Sequence, residues 1–157
     1  MLFQWRKQIV AQAVDFAPTL ISWFSPEKKW SFTIEDYRQM PLNSLGRSVG
    51  DYLDDRGFSF VYNGHHHDIR HILLNYDMNP EGEVRMQAFM VGNNWTWNYK
   101  GWLAFLFGLV MLPELWGTLA KDWKRGKKAR KINQVKWKNF LNDPIDELRL
   151  RFNIVQQ

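Results

Sequence analysis

Hydrophobic side chains recur every three to four residues along much of this chain, the spacing of an α-helix with one buried face. No alternation of apolar and polar residues is long enough to predict a strand. The predicted helices run from residue 2 to 24 with a bend at Pro18, from Ser44 as cap to Asp55, from His65 to Tyr76, from Glu81 to Val91, over 118–141, and from Pro144 to Phe152 with Asp143 as cap. We therefore predict an all-α fold, built as a single compact multi-helix domain over residues 1–157.

The composition narrows the classes of function. Apolar residues make up 45% of the chain, with nine Trp and eleven Phe, which excludes an intrinsically disordered protein. There is no Cys, so disulfides, thiolate metal sites and cysteine nucleophiles are excluded. Any bound metal must therefore be held by His, Asp, Glu and water.

One cluster of residues has the composition of a metal site. His67 and His71 are four residues apart, so on a helix they share a face and can bind one ion. Asp68 lies about 100° round from His67, where it either binds at the edge of that face or orients a ligand. Glu83 follows the turn at Asn79-Pro80, where reversal of the chain can return it to His71. Two histidines and two carboxylates suit zinc or a similar divalent ion.

Alternatives to this site remain open on spacing alone. His67 and His71 could be ordinary surface or core residues, because two histidines four apart are a weak signal. His65 and His66 are interpreted as loop residues rather than ligands. If all four candidate side chains bind, the site is closed and structural. If Asp68 only orients a ligand, a position is open for water or substrate.

An apolar segment and a basic segment follow one another in the C-terminal half. Residues 101–117 are strongly apolar but barely long enough to span a bilayer, so a core helix is favoured slightly over one that dips into the membrane interface. Between Lys121 and Lys138 there are nine Lys or Arg against one acid, Asp122, within a chain of net charge +5. A basic patch next to apolar residues suits an anionic membrane surface. The candidate lipid contacts are Trp102, Phe105, Leu109, Trp116, Arg125, Lys128 and Arg130.

Several motifs, in order over about residues 40–154, resemble the coenzyme Q biosynthesis protein 4 family. His67-Asp68-Ile69-Arg70-His71, eleven residues and then Glu83 preceded by Gly82 are similar to its HDxxH-x11-E signature. The segment 41–47 resembles its P-x-G-S-L-G-R stretch, and 143–149 its Asp-Pro-hydrophobic-x-Glu-Leu-Arg ending. The chain departs from the family at Asn75, where Gly is usual, and after Glu83, where Gln-x-Gly-Leu-Pro is replaced.

The resemblance implies a helical fold with a hydrophobic lipid-binding groove and a divalent metal, most simply zinc, held by His67, Asp68, His71 and Glu83. It implies a role in ubiquinone biosynthesis: organising the other quinone-biosynthesis enzymes, or replacing the head-group carboxyl with a hydroxyl by oxidative decarboxylation. The expected partners are a prenylated quinone precursor or another isoprenoid lipid, those enzymes and an anionic membrane, with a homodimer left open.

The same residues also allow other functions to be considered. A non-catalytic isoprenoid-binding scaffold with a structural metal fits the family equally well. A metal-dependent hydrolase fits poorly, because HD phosphohydrolases need a separate upstream His, and only His65 and His66 precede the motif. Nucleic acid ranks last, since no binding motif accompanies the basic segment.

The start of the chain bears on localisation. Residues 1–7 have neither a secretory layout nor a mitochondrial presequence. We expect a cytoplasmic bacterial protein peripheral to the inner membrane, or, in a eukaryote, one on the matrix side of the mitochondrial inner membrane after removal of a presequence.

Overall fold

The computed structural model describes residues 32–57, 65–93, 105–106 and 109–155, together with Gln8, Ile9 and Gln12. The α-helices are α1 Ile34–Arg38, α2 Leu45–Asp55, α3 His65–Leu74, α4 Pro80–Gly92, α5 Trp116–Lys128 and α6 Ile145–Arg151. Short 3-10 helices occupy Pro113–Leu115 and Trp137–Phe140, and 105–106 and 109–111 are also helical. No strand occurs in these ranges, and the predicted all-α fold is confirmed. Most of the predicted helix over 2–24 lies outside the described residues.

Local signals place the starts of the central helices. The Ser44 side chain accepts the backbone N–H of Arg47 at 3.2 Å, which confirms it as the cap of α2. The Asn79 side chain accepts the N–H of Gly82 at 2.8 Å, and Pro80 takes the first helical position of α4. Both helices thus begin where side chains satisfy N–H groups that would otherwise be unpaired.

The predicted basic helix over 118–141 is wrong beyond Lys128. Ala129 is extended, with φ −72 and ψ 150, and the chain then runs irregularly to the 3-10 helix at Trp137. The Asn93 side chain donates to the carbonyl oxygens of Gly126 and Arg130, both at 3.0 Å. The backbone N–H of Arg130 donates to the carbonyl of Phe152 at 2.8 Å. Hydrogen bonds to distant residues therefore end the helix, where local sequence would continue it.

The start of α6 also differs from the prediction. Pro144, not Asp143, is the residue that precedes the helix, and no side chain caps it. Instead the backbone of this turn pairs with the turn before α2 through an isolated bridge between Ser44 and Pro144. The N–H of Leu45 donates to the carbonyl of Asp143, and the N–H of Ile145 donates to that of Asn43, each at 2.9 Å. The backbone groups at the starts of α2 and α6 thus form hydrogen bonds with each other.

The described residues form a larger and a smaller cluster of buried side chains. The larger joins α1 to α4 with the C-terminal segment, and its biggest fully buried members are Trp137, Tyr37 and Phe89. Of the elements that the structure describes, α4 and α5 make the most extensive contact. They cross closely because Gly92 lies under the carbonyl of Trp123 and Gly126 under that of Phe89, where a Cβ would come within 2.1 and 2.0 Å. Helix α4, which carries Glu83, is therefore fixed against the basic helix α5.

Candidate metal centre

Three of the four predicted metal-site residues converge. The rings of His67 and His71 lie on one face of α3 with their centroids 4.6 Å apart. Nε2 of His71 is 2.8 Å from Oε1 of Glu83, and Nε2 of His67 is 3.2 Å from Oε2. One ligand atom from each of the three residues lies within 4.8 Å of the others. The prediction that Glu83 returns to the histidines across the Asn79-Pro80 turn is confirmed.

The local sequence explains how Glu83 reaches α3. A Cβ on Gly82 would lie 1.9 Å from the carbonyl oxygen of Asp77, so only glycine lets the chain reverse this tightly. The cap at Asn79 then starts α4 at once, which leaves Glu83 in its first turn, facing α3. In the Gly-Glu pair of the motif, Gly82 is thus required by the tight turn, and Glu83 supplies the carboxylate that reaches the histidines.

The arrangement fits a divalent ion. Nδ1 of His71 lies 3.1 Å from the carbonyl oxygen of Tyr76, which can only accept, so Nδ1 carries a hydrogen. The Nε2 lone pair of a neutral His71 then faces a carboxylate oxygen, and a proton or a metal ion must lie between these two acceptors. Tetrahedral zinc ligands with bonds of about 2.0 Å stand roughly 3.3 Å apart. The distances from Glu83 to the histidines, 2.8 Å from Oε1 to His71 and 3.2 Å from Oε2 to His67, are close to that separation.

Asp68 lies behind His67. Its Oδ1 is 3.6 Å from Nδ1 of His67, the ring nitrogen that points away from Glu83. Asp68 is outside the group of three converging residues, and its side chain is 12% exposed. This placement supports the orienting role for Asp68, one of the two that the sequence left open.

The electrostatics also favour a cation between the three residues. Burial lowers the pKa of His67, but the carboxylates of Asp68 and Glu83 outweigh it and raise that pKa to about 9. Burial raises the pKa of Glu83, but hydrogen bonds from His67 and His71 and their charges move it well below its usual range. The His71 side chain is fully buried, whereas that of His67 is 44% exposed. The cluster is thus closed on the His71 side and open at His67.

The interpretation of His65 and His66 as loop residues is wrong. Both lie in the first turn of α3. His65 is buried, and its Nδ1 is 3.1 Å from the hydroxyl of Tyr37 on α1. Burial is the largest influence on its pKa, which is lowered. The helix begins at His65, as the periodicity predicts, and this tertiary contact holds its first residue.

Two arginines bind the other end of α3. Arg149 on α6 donates to the carbonyl oxygens of Leu73 at 3.1 Å and Ile72 at 2.9 Å, and Arg125 on α5 donates to that of Leu74 at 2.5 Å. Arg125 also donates to the carbonyl of Val155 at 2.7 Å. Arg125 was predicted to contact lipid, and the structure instead commits its guanidinium to the fold. The end of the histidine-bearing helix is therefore tied to α5 and α6.

The other predicted lipid contacts are placed as follows. Phe105 and Leu109 pack, half-buried, against the smaller core cluster, while Leu106 and Val110 are 50% and 70% exposed. Trp116 is 58% exposed. Lys128 and Arg130 are exposed, and Trp102 lies outside the described residues. Among the described helices, none combines the length and the hydrophobicity needed to cross a bilayer.

Sequence reasoning missed Tyr76 and the buried Asp122, although Asp122 stood out as the one acid among nine basic residues. The carbonyl of Tyr76 binds His71, and its hydroxyl donates to Asp122 at 2.8 Å. The contact through the Tyr76 carbonyl could not be predicted, because every residue has a backbone carbonyl. The isolated acid Asp122 was the one feature of the sequence that pointed to this group of contacts.

Comparison with known proteins identifies the family and supports the fold. The model of the family described as coenzyme Q (ubiquinone) biosynthesis protein Coq4 matches residues 28–157. A crystal structure of a Nostoc punctiforme protein with an inferred role in ubiquinone biosynthesis superposes with a TM-score of 0.67 at 21% sequence identity, covering 95% of this chain and 81% of that one. At that identity the likeness concerns the fold. No curated protein sequence matches closely enough to serve as a comparison. Because the family model covers most of the chain, from before α1 to the C-terminal helix, the protein belongs to the coenzyme Q (ubiquinone) biosynthesis protein Coq4 family.

Proposed function

We propose that this protein acts in ubiquinone biosynthesis as a metal-binding protein that holds a prenylated quinone precursor at the membrane. The observation that carries the proposal is the convergence of His67, His71 and Glu83, with the outer nitrogen of each imidazole backed by an oxygen atom. Ligating histidines in proteins almost always have such a partner, which orients the ring. Zinc is the simplest ion for two imidazoles and a carboxylate without thiolates.

The three residues leave room for a substrate atom. A bound zinc would act as a Lewis acid that polarises an oxygen of the head group. His71 and Glu83 hold the closed side of the site, and the partial exposure of His67 marks the side from which a ring could approach. The Asp68 carboxylate lies 3.6 Å from Nδ1 of His67, on the far side of the ring from Glu83, and favours the orientation that turns Nε2 toward the site.

The enzymatic version of the proposal is an oxidative decarboxylation of the head group. The ring carbon loses its carboxyl group as CO₂ and gains a hydroxyl whose oxygen comes from water, and the two electrons removed pass to an oxidant, for which dioxygen, reduced to hydrogen peroxide, is the natural class. Zinc has no redox chemistry of its own, so it could only bind and polarise the carboxylate. The scaffold version needs the same site without the reaction, since a bound head group can be presented to another enzyme.

The membrane part of the proposal rests on exposed apolar and basic side chains in the C-terminal half. Leu106, Val110 and Trp116 expose apolar side chains, and α5 exposes Lys124 and Lys128 directly after them. Moving a prenyl tail into water costs about 0.8 kcal/mol per CH₂, so the protein must reach its substrate at the bilayer.

Metal binding is tested first by removing Glu83. Glu83→Gln keeps the size of the side chain but lowers the affinity for Zn²⁺, and His71→Ala abolishes binding, as measured by competition with a chromophoric chelator. Glu81→Gln is the matched control, because Glu81 is an exposed acid in the same first turn of α4. Equal affinities in Glu83→Gln and Glu81→Gln would remove the metal site from the proposal.

The enzyme and the scaffold are separated by product analysis. The metal-loaded protein is incubated in liposomes with a prenylated ring that carries a carboxylate, under dioxygen. Release of CO₂ with formation of the phenol supports the enzyme. Binding of the ring without CO₂ supports the scaffold, and neither binding nor product contradicts both.

A further inference from the structure

Asp122 is the lone acid of the basic segment, and it faces inward. It is 2% exposed on the side of α5 that packs against α4, while Lys121 and Lys124 on the same helix are exposed. A buried carboxylate needs charged or hydrogen-bonding partners, because burial of an unpaired charge is costly. Its position among nine basic residues therefore calls for a specific role inside the fold.

The partners of Asp122 come from two other segments. Arg85 on α4 donates from Nε to Oδ2 of Asp122 at 2.9 Å, forming a largely buried ion pair. The Tyr76 hydroxyl donates to Oδ1 at 2.8 Å. The guanidinium of Arg85 lies 5.4 Å from the centre of the Tyr76 ring, and that of Arg125 lies 5.1 Å from it. The Tyr76 ring is thus fixed at its hydroxyl and contacted by two cations.

The backbone of Tyr76 is joined to His71 at two points. Its carbonyl oxygen is 3.1 Å from Nδ1 of His71, and its N–H donates to the carbonyl of His71 at 2.9 Å. Tyr76 therefore contacts both the Asp122 carboxylate and the His71 imidazole directly. We propose that Asp122 and Tyr76 are positioning residues for the metal centre, which hold His71 with Nδ1 protonated and Nε2 directed at Glu83.

This inference rests on the proposed metal site but concerns residues that never touch the ion. If Tyr76 shifts, its carbonyl no longer fixes the ring, and His71 can rotate or exchange its tautomer. Partners of ligating histidines typically contribute 10–100-fold to metal affinity. The same contacts attach the inner face of α5 to the site, while its outer face carries the exposed lysines.

The test compares two tyrosines that bind the same turn. Tyr76→Phe removes only the hydroxyl that Asp122 accepts from. Tyr52→Phe is the matched control: the Tyr52 hydroxyl accepts the N–H of Met78, two residues after Tyr76, at 3.0 Å and is not bonded to Asp122. Zn²⁺ affinity is measured by chelator competition. The hydrogen bond from Nδ1–H of His71 to the Tyr76 carbonyl is followed in the metal-free protein by the ¹H–¹⁵N resonance of that group and its exchange with solvent.

We expect both variants to lose a similar few degrees of melting temperature. Only Tyr76→Phe lowers Zn²⁺ affinity, by about tenfold, and speeds the exchange of the His71 Nδ1–H with solvent. Asp122→Asn, which keeps an acceptor for Tyr76, retains more affinity than Asp122→Ala. Wild-type affinity and wild-type exchange of this N–H in Tyr76→Phe would overturn the inference. Failure of the wild type to bind any divalent ion would instead contradict the proposed function, and the exchange comparison would still decide whether Tyr76 positions His71.

Discussion

The backbone N–H of Ile132 donates to the side-chain oxygen of Asn93 at 3.0 Å, although 39 residues separate them. The nitrogen of the same amide donates to the carbonyls of Gly126, Ala129 and Arg130 at 3.0, 3.3 and 3.0 Å. Asn93 is 3% exposed, so these groups have no ready access to water. One side chain at the end of α4 thus holds the backbone where α5 ends.

Asn93→Ala should therefore be among the more destabilising substitutions in the protein. Loss of the amide leaves a buried N–H and several carbonyls short of partners, and we expect the free energy of unfolding to fall by about 2–4 kcal/mol. Urea denaturation followed by circular dichroism measures this. Asn142→Ala, at an exposed asparagine, should change it by less than about 0.5 kcal/mol. Similar midpoints for the two variants would show that the Asn93 bonds contribute little.

Two glycines of α5 should respond in opposite directions to alanine. A Cβ at Gly126 would meet the backbone oxygen of Phe89 at 2.0 Å, so α4 and α5 must separate, at a cost of about 3 kcal/mol, the upper end for overpacking. A Cβ at Gly117 meets nothing within 4 Å, and helix propensity should stabilise that variant by up to about 1 kcal/mol. The melting temperatures of the two alanine variants, compared with that of the wild type, measure both effects. Destabilisation of equal size at the two positions would mean that close helix approach is not the cause.

The extent to which the sequence predicts the fold depends on where the signals lie. Ser44, Asn79 and Pro80 act on their own helices, so the starts of α2 and α4 could be predicted from the chain itself. The end of α5 could not, because it depends on Asn93 and Phe152, which approach only in the folded protein.

The same division holds within the site. The spacing of His67, His71 and Glu83 predicts their convergence, because one helix face and one tight turn are local features. Asn75, an apparent departure from the family, has φ 60 and adopts the left-handed conformation that glycine would take. The contact of His71 with the Tyr76 carbonyl could not be predicted, because backbone acceptors are present at every residue.

Metal binding should depend on pH through His67. Without metal its pKa is raised to about 9, so at neutral pH the imidazole is protonated and an ion must displace that proton. The apparent affinity for Zn²⁺ should therefore rise by about tenfold per pH unit toward pH 9 and then level off. Calorimetry in buffers of different ionisation enthalpy counts the proton released at pH 7.5.

Asp68→Asn provides the control for that experiment. It removes a carboxylate that raises the pKa of His67, so less proton should be released at the same pH. An affinity that stays constant between neutral pH and pH 9 would contradict the assignment of His67 as a ligand.

Membrane association should depend on the outer face of α5. Binding to liposomes should increase with anionic lipid content and weaken with salt, because exposed charges are screened. Lys128→Glu should weaken binding about fivefold or more, since each basic residue near the surface contributes about 1 kcal/mol. Arg56→Glu makes the same change in net charge at an exposed position on another part of the protein. Equal loss in both variants would indicate a general charge effect, without a specific surface.

The arginine contacts at the end of α3 have a consequence for the order of events during synthesis. His67, His71 and Glu83 are all translated well before Arg125 and Arg149, whose guanidinium groups hold the carbonyls of Ile72, Leu73 and Leu74. A nascent chain therefore presents the residues that would bind the ion before it can hold their helix in place. Loading of the site would follow synthesis of α6, and a chain that stops short of Arg149 would keep every ligand and still bind metal poorly.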